Sequence, residues 1–105
     1  MLDYELTPDA EEDLLEIGRY TIATWGVNQA SRYETALKHC LGAVRRNEKR
    51  MARPIPHRPE LRSSRCKNHY IFALFRGKAR PVILGVLHEK MDLLARLRER
   101  IADSR

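Results

Sequence analysis

The clearest hydrophobic pattern in the chain lies between residues 61 and 92, where two strand-like runs follow one another. The runs cover His69–Arg76 and Ala79–His88, and only Gly77 and Lys78 separate them. Two runs rich in β-branched and aromatic residues, divided by a short break that contains glycine, are typical of a β-hairpin. We therefore predict that this hairpin forms the centre of a sheet.

Both strands of the predicted hairpin are apolar on both faces. Alternate residues of the first run form two sets, with Tyr70, Phe72 and Leu74 on one face and Ile71, Ala73 and Phe75 on the other. The second run is apolar from Pro81 to Leu87 without any alternation. Because successive side chains of a strand point to opposite faces, this pattern is typical of a central strand that is covered on both sides.

Two helices are predicted ahead of the hairpin. Thr7 suits the N-cap of the first helix and Pro8 its first position, while Gly26 favours its end. Asn28 is a candidate cap for the second helix, so only a very short connection joins the two helices. Inward-facing residues recur at three- and four-residue steps, namely Ala10, Leu14, Ile17 and Thr21 in the first helix and Ala30, Tyr33, Leu37, Leu41 and Val44 in the second. This spacing predicts a helical hairpin whose apolar faces need a sheet to cover them.

The remaining segments complete a predicted order of β-α-α-β-β-β-α. Met1–Leu6 alternates like a short strand, prolines exclude a helix from residues 51–59, and Leu61–Arg65 is a further strand-like run. Asp92 suits the cap of a last helix. The inward face of that helix is predicted to hold Leu94, Leu97 and Ile101. We expect a single α+β domain over residues 1–105, in which the helical hairpin packs on a small antiparallel sheet.

Charge is distributed unevenly along the chain, whose formal net charge is +6. Residues 1–25 hold seven acidic residues and one basic residue, whereas residues 26–105 hold nineteen basic and seven acidic residues. Acidic residues at the start of a helix complement its dipole, so structure alone explains part of the acidic cluster. The basic remainder favours an acidic protein partner or nucleic acid over a surface that is merely solvated.

Composition also bears on compartment and on metal chemistry. No apolar run approaches the roughly 20 residues that span a bilayer, and the acidic first residues do not resemble a signal peptide. We therefore expect a cytoplasmic protein without membrane contact. Cys40 and Cys66 are too few for a disulfide framework and lack metal-ligand spacing, so we expect reduced, structural thiols. We expect no metal and no cofactor.

Motifs along almost the whole chain resemble those of a family of bacterial toxins. They are Ala10, Asp13-Leu14, Ile17, Tyr20, Trp25-Gly26, Gln29-Ala30 and Tyr33 in the helices, and Leu61-Arg62, His69-Tyr70-Ile71-Phe72, Val86-Leu87-His88 and Met91-Asp92 around the sheet. On these residues the sequence is similar to the ParE toxins of the RelE/ParE superfamily, the toxic halves of toxin–antitoxin pairs. The Val-Leu-His-x-x-Met-Asp ending and the Trp-Gly helix break are the most specific parts of this resemblance.

The resemblance implies the toxin component of a type II toxin–antitoxin system, which inhibits DNA gyrase by binding. A cognate ParD-like antitoxin would neutralise it with an acidic segment that folds on the toxin, giving a toxin–antitoxin hetero-oligomer. The basic part of the chain is what such a segment needs. We predict partner contacts at Trp25, Arg62, Arg65, Lys67, Arg96, Arg98 and Arg100. For Trp25, the alternative is a plug at one end of the core.

Two other functions remain open at this point. The RelE branch of the superfamily cleaves mRNA, which needs a base, an acid and cations that hold the phosphate. Arg65 and His88 would be the catalytic residues of such a nuclease. RelE-type nucleases carry a catalytic residue such as tyrosine near the C-terminus, and no tyrosine follows Tyr70. We therefore interpret His88 and His69 as structural and predict no catalytic residue. The other alternative is a non-toxic module that only binds an antitoxin.

Overall fold

The computed structural model describes residues 2–103 and confirms the predicted order of helices and strands. The elements are β1 (Glu5–Leu6), α1 (Pro8–Trp25), α2 (Val27–Gly42), a short 3₁₀ turn (Glu48–Arg50), β2 (Leu61–Cys66), β3 (His69–Leu74), β4 (Val82–His88) and α3 (Leu93–Asp103). Met1, which belongs to the predicted first strand, lies outside the described residues.

The four strands form one sheet in the order β1-β4-β3-β2, with the predicted β3–β4 hairpin at its centre. Strands β2, β3 and β4 are antiparallel neighbours, as predicted. The sheet differs from the prediction at one edge, where β1 runs parallel to β4 over only two residue pairs. Short turns force antiparallel pairing between consecutive strands, whereas β1 and β4 are joined through most of the chain and are free of that constraint.

The sheet is covered on both faces, as the two apolar sets of β3 predict. Ile71, Ala73 and Phe75 belong to the core beneath the α1–α2 hairpin. Phe72 belongs to the second core, beneath α3, and Tyr70 and Leu74 pack against it. Leu97 anchors α3 in that core, and Leu93 and Ile101 pack beside it. The prediction that Leu94 faces the core is wrong. The inward face of α3 consists of residues at four-residue steps from Leu93, and Leu94 is exposed.

Two caps explain the shape of the helical hairpin. The Thr7 side chain accepts a hydrogen bond from the Ala10 amide at 3.1 Å, which confirms the predicted N-cap of α1. The cap of α2 is Gly26 rather than the predicted Asn28. Gly26 has a φ of +89°, a conformation open to glycine, so one residue ends α1 and begins α2.

Cys40 and Cys66 form a disulfide between α2 and the end of β2. The expectation of reduced thiols is therefore wrong for this structure. The two residues are 26 positions apart in sequence, and α2 packs against β2, which brings their Cα atoms to 6.3 Å. A cysteine pair of this kind has no local sequence signature, because its proximity depends on how a helix packs on a strand.

Candidate functional site

An open groove of about 590 Å³ lies between the α1–α2 hairpin and the adjoining ends of β3 and β4. Its helical wall includes Glu16 and Tyr20 of α1 and Tyr33 of α2, and its strand wall includes His69 and His88. The helical side chains recur at three- and four-residue steps, so one edge of each helix faces the groove. The groove therefore joins polar, aromatic and ionisable groups from four elements.

Tyr33 of α2 and His69 of β3 form a hydrogen-bonded pair in the groove. The Tyr33 hydroxyl lies 2.6 Å from Nδ1 of His69, and its oxygen accepts a hydrogen bond from the Asn68 amide at 3.2 Å. Burial, with a smaller effect of the neighbouring His88, lowers the pKa of His69 to about 4. Burial also raises the pKa of Tyr33. At neutral pH the protonated phenol therefore donates to a neutral imidazole, and Nδ1 of His69 is occupied within the protein.

His88 is also held by internal contacts. Its Nδ1 accepts a hydrogen bond from the Lys90 amide at 3.1 Å. Its ring lies edge-on to that of His69, with 5.1 Å between the centroids. Both imidazoles thus have contacts of the kind that a structural role requires.

The two residues proposed for a nuclease, Arg65 and His88, lie on opposite faces of the sheet. His88 pairs with His69 and faces the groove beside the helical hairpin. Arg65 pairs with Tyr70 and lies over its ring, at 5.9 Å from the centroid, on the face that α3 covers. Since the sheet separates them, these two side chains do not converge on one phosphate.

The predicted partner-binding residues of β2 and its turn are engaged to different degrees. Arg65 donates to both carboxylate oxygens of Glu89 at 3.1 Å. Arg62 donates to the carbonyl oxygens of Glu48 at 2.7 Å and Pro59 at 3.0 Å, and so ties the proline-rich loop to the sheet. Lys67 is exposed in the β2–β3 turn, where its φ is +57°. The three residues lie near one edge of the sheet, but only Lys67 and Arg65 are exposed.

The three arginines of α3 have different environments. Arg96 and Arg98 are exposed, whereas the Arg100 side chain is only 17% exposed and points inward. Arg100 makes two hydrogen bonds of 2.9 Å to the carboxylate of Asp13, which also raise its pKa, and one of 2.9 Å to the Leu84 carbonyl oxygen. The structure therefore gives Arg100 an internal partner, in contrast to the partner contact that we predict from the sequence.

Asp13 is a largely buried charged residue whose structural role the sequence interpretation missed. It lies three residues after Ala10 and four before Ile17, on the inward face of α1. A carboxylate on an apolar helix face requires a partner. This requirement was the signal in the sequence that could have identified Asp13. The partner itself was not detectable, because Arg100 is 87 positions away.

Trp25 and two further apolar side chains are exposed around the groove. Trp25 is 65% exposed, so it does not plug the core. Tyr20 is 66% exposed and Met91 is 42% exposed, and all three line the groove. The sequence interpretation identified Trp25 but missed Tyr20 and Met91, because only the fold brings Met91, which follows β4, beside α1.

Two further observations concern the described part of the chain. Within residues 2–103, no three His, Cys, Asp or Glu side chains are grouped so that they could hold a metal ion. None of the helices in that range has the length and apolar character needed to cross a bilayer.

Comparison with known proteins gives consistent matches along the chain. Residues 4–93 match the family model described as ParE toxin of type II toxin-antitoxin system, parDE. The chain is 38% identical over 101 residues to Toxin ParE of Escherichia coli, covering 96% of this chain and 98% of that protein. It is 33% identical over 91 residues to Toxin ParE1 of Mycobacterium tuberculosis strain H37Rv, covering 86% of this chain and 92% of that protein.

A solved structure supports the fold. A chain of the chromosomal ParDE TA system from P. aeruginosa superimposes with a TM-score of 0.68, covering 84% of this chain and 96% of that one. The sequence identity is 16%, so this similarity concerns the fold alone.

Proposed function

Because this chain belongs to the ParE toxins of type II toxin–antitoxin systems, we propose that it acts by binding and inhibiting DNA gyrase. As a member of that family, it is the toxin component of a parDE system. The proposal adds the target and the mode of action. We also propose a cytoplasmic location, since the gyrase that it would inhibit acts on cytoplasmic DNA.

The separation of Arg65 and His88 supports binding rather than catalysis. A nuclease needs a base and a cation on the same phosphate, and the sheet keeps these two side chains apart. The neighbouring imidazole of His69 has its Nδ1 occupied by the Tyr33 hydroxyl. This arrangement favours a toxin that acts through its surface over an mRNA endonuclease.

A cognate antitoxin is the second partner that we propose. Strand β2 is at the edge of the sheet. Among the described residues, Ala52 pairs with the outer side of this strand through an isolated bridge to Ser63. Beyond that bridge, Arg65 and Lys67 are exposed. An acidic segment could add to this edge and meet basic side chains, which is a common mode of peptide recognition by sheets.

Arg96 and Arg98 are the exposed cations that we propose for contact with gyrase. They lie on α3, whose opposite face packs on the sheet, so a change at either position leaves the core untouched. Arg100 is left out of this set because it is paired with Asp13.

The test is the supercoiling of relaxed plasmid by purified gyrase, with the toxin titrated in and an RNA followed in the same tube. We expect inhibition of supercoiling with intact RNA. The variant with both Arg96→Glu and Arg98→Glu should inhibit more weakly at an unchanged free energy of unfolding. The matched control carries Arg53→Glu and Lys78→Glu, two exposed positions with the same total change of charge, and should inhibit like the wild type.

Cut RNA with active gyrase would overturn the proposal and favour the nuclease. In that case Arg65→Ala and His88→Ala should each abolish the cleavage without loss of folding. If the protein neither inhibits gyrase nor cleaves RNA, both of these functions are contradicted. The non-toxic antitoxin-binding module is then the function that remains.

A further inference from the structure

Another groove, of about 490 Å³, lies at the outer edge of β2, where the 3₁₀ turn that follows α2 meets the strand. We call it the edge groove. The described residues that line it include no acid, and its polar members all carry hydrogen-bond donors; they are Asn47, Arg50, Ser63, Ser64, Arg65 and Tyr70. A concave surface with two guanidiniums and no carboxylate in its lining is suited to an anion.

The turn brings unpaired positive charge to the edge groove. Residues 45–50 hold four basic residues and one acid. The acid, Glu48, is paired with Arg45 at 3.4 Å. Arg46, Lys49 and Arg50 are exposed, and their side chains have no partner within residues 2–103. Because like charges so close in sequence repel one another, a bound anion would stabilise this turn.

Arg65, on the strand side of the edge groove, is held in place by the protein itself. Its Nη2 donates to both carboxylate oxygens of Glu89 at 3.1 Å, and its Nε donates to the Lys67 carbonyl oxygen at 3.0 Å. Its Nη1 has no hydrogen-bond acceptor in the described part of the chain. Arg65 therefore keeps donors for an outside acceptor, and its fixed guanidinium loses little conformational entropy on binding.

Tyr70 contributes its hydroxyl rather than its ring. The ring packs against the core beneath α3, at 6.5 Å from the ring of Phe72, and the guanidinium of Arg65 lies over it. The ring is therefore not open to a stacking base. The hydroxyl makes no hydrogen bond to any described residue, so it can donate to an anion in the edge groove.

We propose that the edge groove binds a backbone phosphate of a nucleic acid, without preference for base sequence. Arg50, Arg65 and Tyr70 donate to the phosphate oxygens. Arg46 and Lys49 adjoin them and meet the neighbouring phosphates of the strand, since a nucleic acid carries one negative charge at each phosphate. Contacts of this kind fix position but carry no sequence information. The proposal concerns binding alone, and it requires neither gyrase nor an antitoxin.

An acidic polypeptide is the other class of partner for such a groove. A peptide that adds to β2 needs free backbone groups of that strand, and the bridge to Ala52 already uses the amide and the carbonyl of Ser63. A nucleic acid needs only the side-chain donors, so the edge groove favours it. An antitoxin segment added further along β2, as proposed above, would cover Arg65 and compete with the nucleic acid.

The test is the fluorescence anisotropy of labelled DNA duplexes of two unrelated sequences, titrated with the full chain over a range of salt concentrations. We expect both duplexes to bind equally well, with a Kd of about 1–100 µM near physiological salt. An RNA duplex carries the same phosphodiester and is the third probe. It should bind and remain intact, and the tighter of the two nucleic acids identifies the source of the phosphate.

Two variants separate the edge groove from a diffuse basic surface. Arg50→Gln should weaken binding by about threefold to tenfold and reduce the slope of log Kd against log salt by about one. Tyr70→Phe should weaken binding by about threefold at an unchanged slope, because it removes a neutral donor and keeps the ring in the core. Arg32→Gln is the matched control, since Arg32 is exposed on α2 outside the edge groove, and it should bind like the wild type.

Four results would overturn the proposal. The first is the absence of duplex binding at about 50 mM salt, where such contacts are strong. The second is an equal effect of Arg50→Gln and Arg32→Gln. The third is a preference of more than about tenfold between the two DNA sequences, which would require base contacts. The fourth is that polyglutamate of matched charge binds more tightly than DNA and alone depends on Arg50, because the groove would then hold an acidic polypeptide. None of these measurements contains gyrase, so they are independent of the supercoiling assay.

Discussion

The guanidinium of Arg100 on α3 and the carboxylate of Asp13 on α1 form a two-fold hydrogen-bonded ion pair beside β4. Strand β1 pairs only with Val82 and Ile83, so β4 continues beyond its short neighbour. Just past that point, the Leu84 carbonyl oxygen accepts from Arg100 and the Val86 amide donates to Asp13, each at 2.9 Å. The ion pair thus satisfies strand groups that β1 does not reach and joins the helical layers on the two faces of the sheet.

Removal of the cation from this pair should destabilise the fold strongly. In Arg100→Met, the Asp13 carboxylate, whose side chain is 12% exposed, would lose its charge partner. The expected loss is about 3–5 kcal/mol in the free energy of unfolding, measured in urea. Arg96→Met, at an exposed position of the same helix, should stay within about 0.5 kcal/mol of the wild type. A double-mutant cycle with Asp13→Asn should show that the two losses are not additive. Additive losses would contradict a direct contact.

A side chain at Gly85 should destabilise the fold, because the ion pair occupies the space above this residue. A Cβ at Gly85 would lie 2.8 Å from Nη1 of Arg100 and 3.3 Å from Oδ2 of Asp13. We expect Gly85→Ala to lower the free energy of unfolding by about 1–3 kcal/mol. Gly18→Ala is the control, since a Cβ there meets no atom within 4 Å, and it should stabilise α1 by about 1 kcal/mol. A neutral Gly85→Ala would show that the guanidinium can move aside freely.

Stability should depend on pH through His69. The folded pKa is about 4 and the ordinary value is 6.5, so between these values the unfolded chain binds a proton that the folded chain does not. The free energy of unfolding should therefore fall as the pH drops from about 6.5 to about 4, with no further contribution from this group below that. Urea unfolding across this range should show a smaller slope for His69→Gln. His39→Gln, at an exposed position, should keep the wild-type slope. Equal slopes for both variants would contradict a buried neutral imidazole.

Reduction of the Cys40–Cys66 disulfide should destabilise the fold without changing its topology. The bond closes a loop between residues 26 positions apart, and closing such a loop in the unfolded chain stabilises the fold by about 3–4 kcal/mol. Urea unfolding with and without a thiol reductant measures this difference. The double variant Cys40→Ala and Cys66→Ala should be insensitive to the reductant. Thiol titration of the unreduced, unfolded chain should find no free thiol, and two free thiols would refute the bond.

Local patterns account for most of the fold. The two alternating sets of β3 predict the two cores, because side-chain direction in a strand depends only on position along it. The Thr7 cap sets the start of α1 and the Gly26 break sets its end, and both effects are equally local. The parallel direction of β1 and the inward position of Leu93 in place of Leu94 were not predictable in this way, because each depends on how an element meets its neighbour.

Local motifs also carry the family assignment. The helix break at Trp25-Gly26 and the ending at Val86-Leu87-His88 lie within residues 4–93, which match the ParE model. The candidate site was harder to predict from the sequence. Its exposed groups Tyr20, Trp25 and Met91 come from segments far apart in sequence, and only their packing makes a groove of them.

The amino-acid sequence by itself determined the order of the elements, the two apolar faces of the central strands and membership of the toxin family. These properties follow from residue periodicity and short motifs, which act within a few positions of the chain. Only the tertiary structure decided which charges are free. Arg96 and Arg100 are the same residue type one helical turn apart, yet Arg96 faces solvent and Arg100 is paired with Asp13. The reason is physical: an ion pair across 87 positions exists only when the packing of α1 and α3 brings its two ends together.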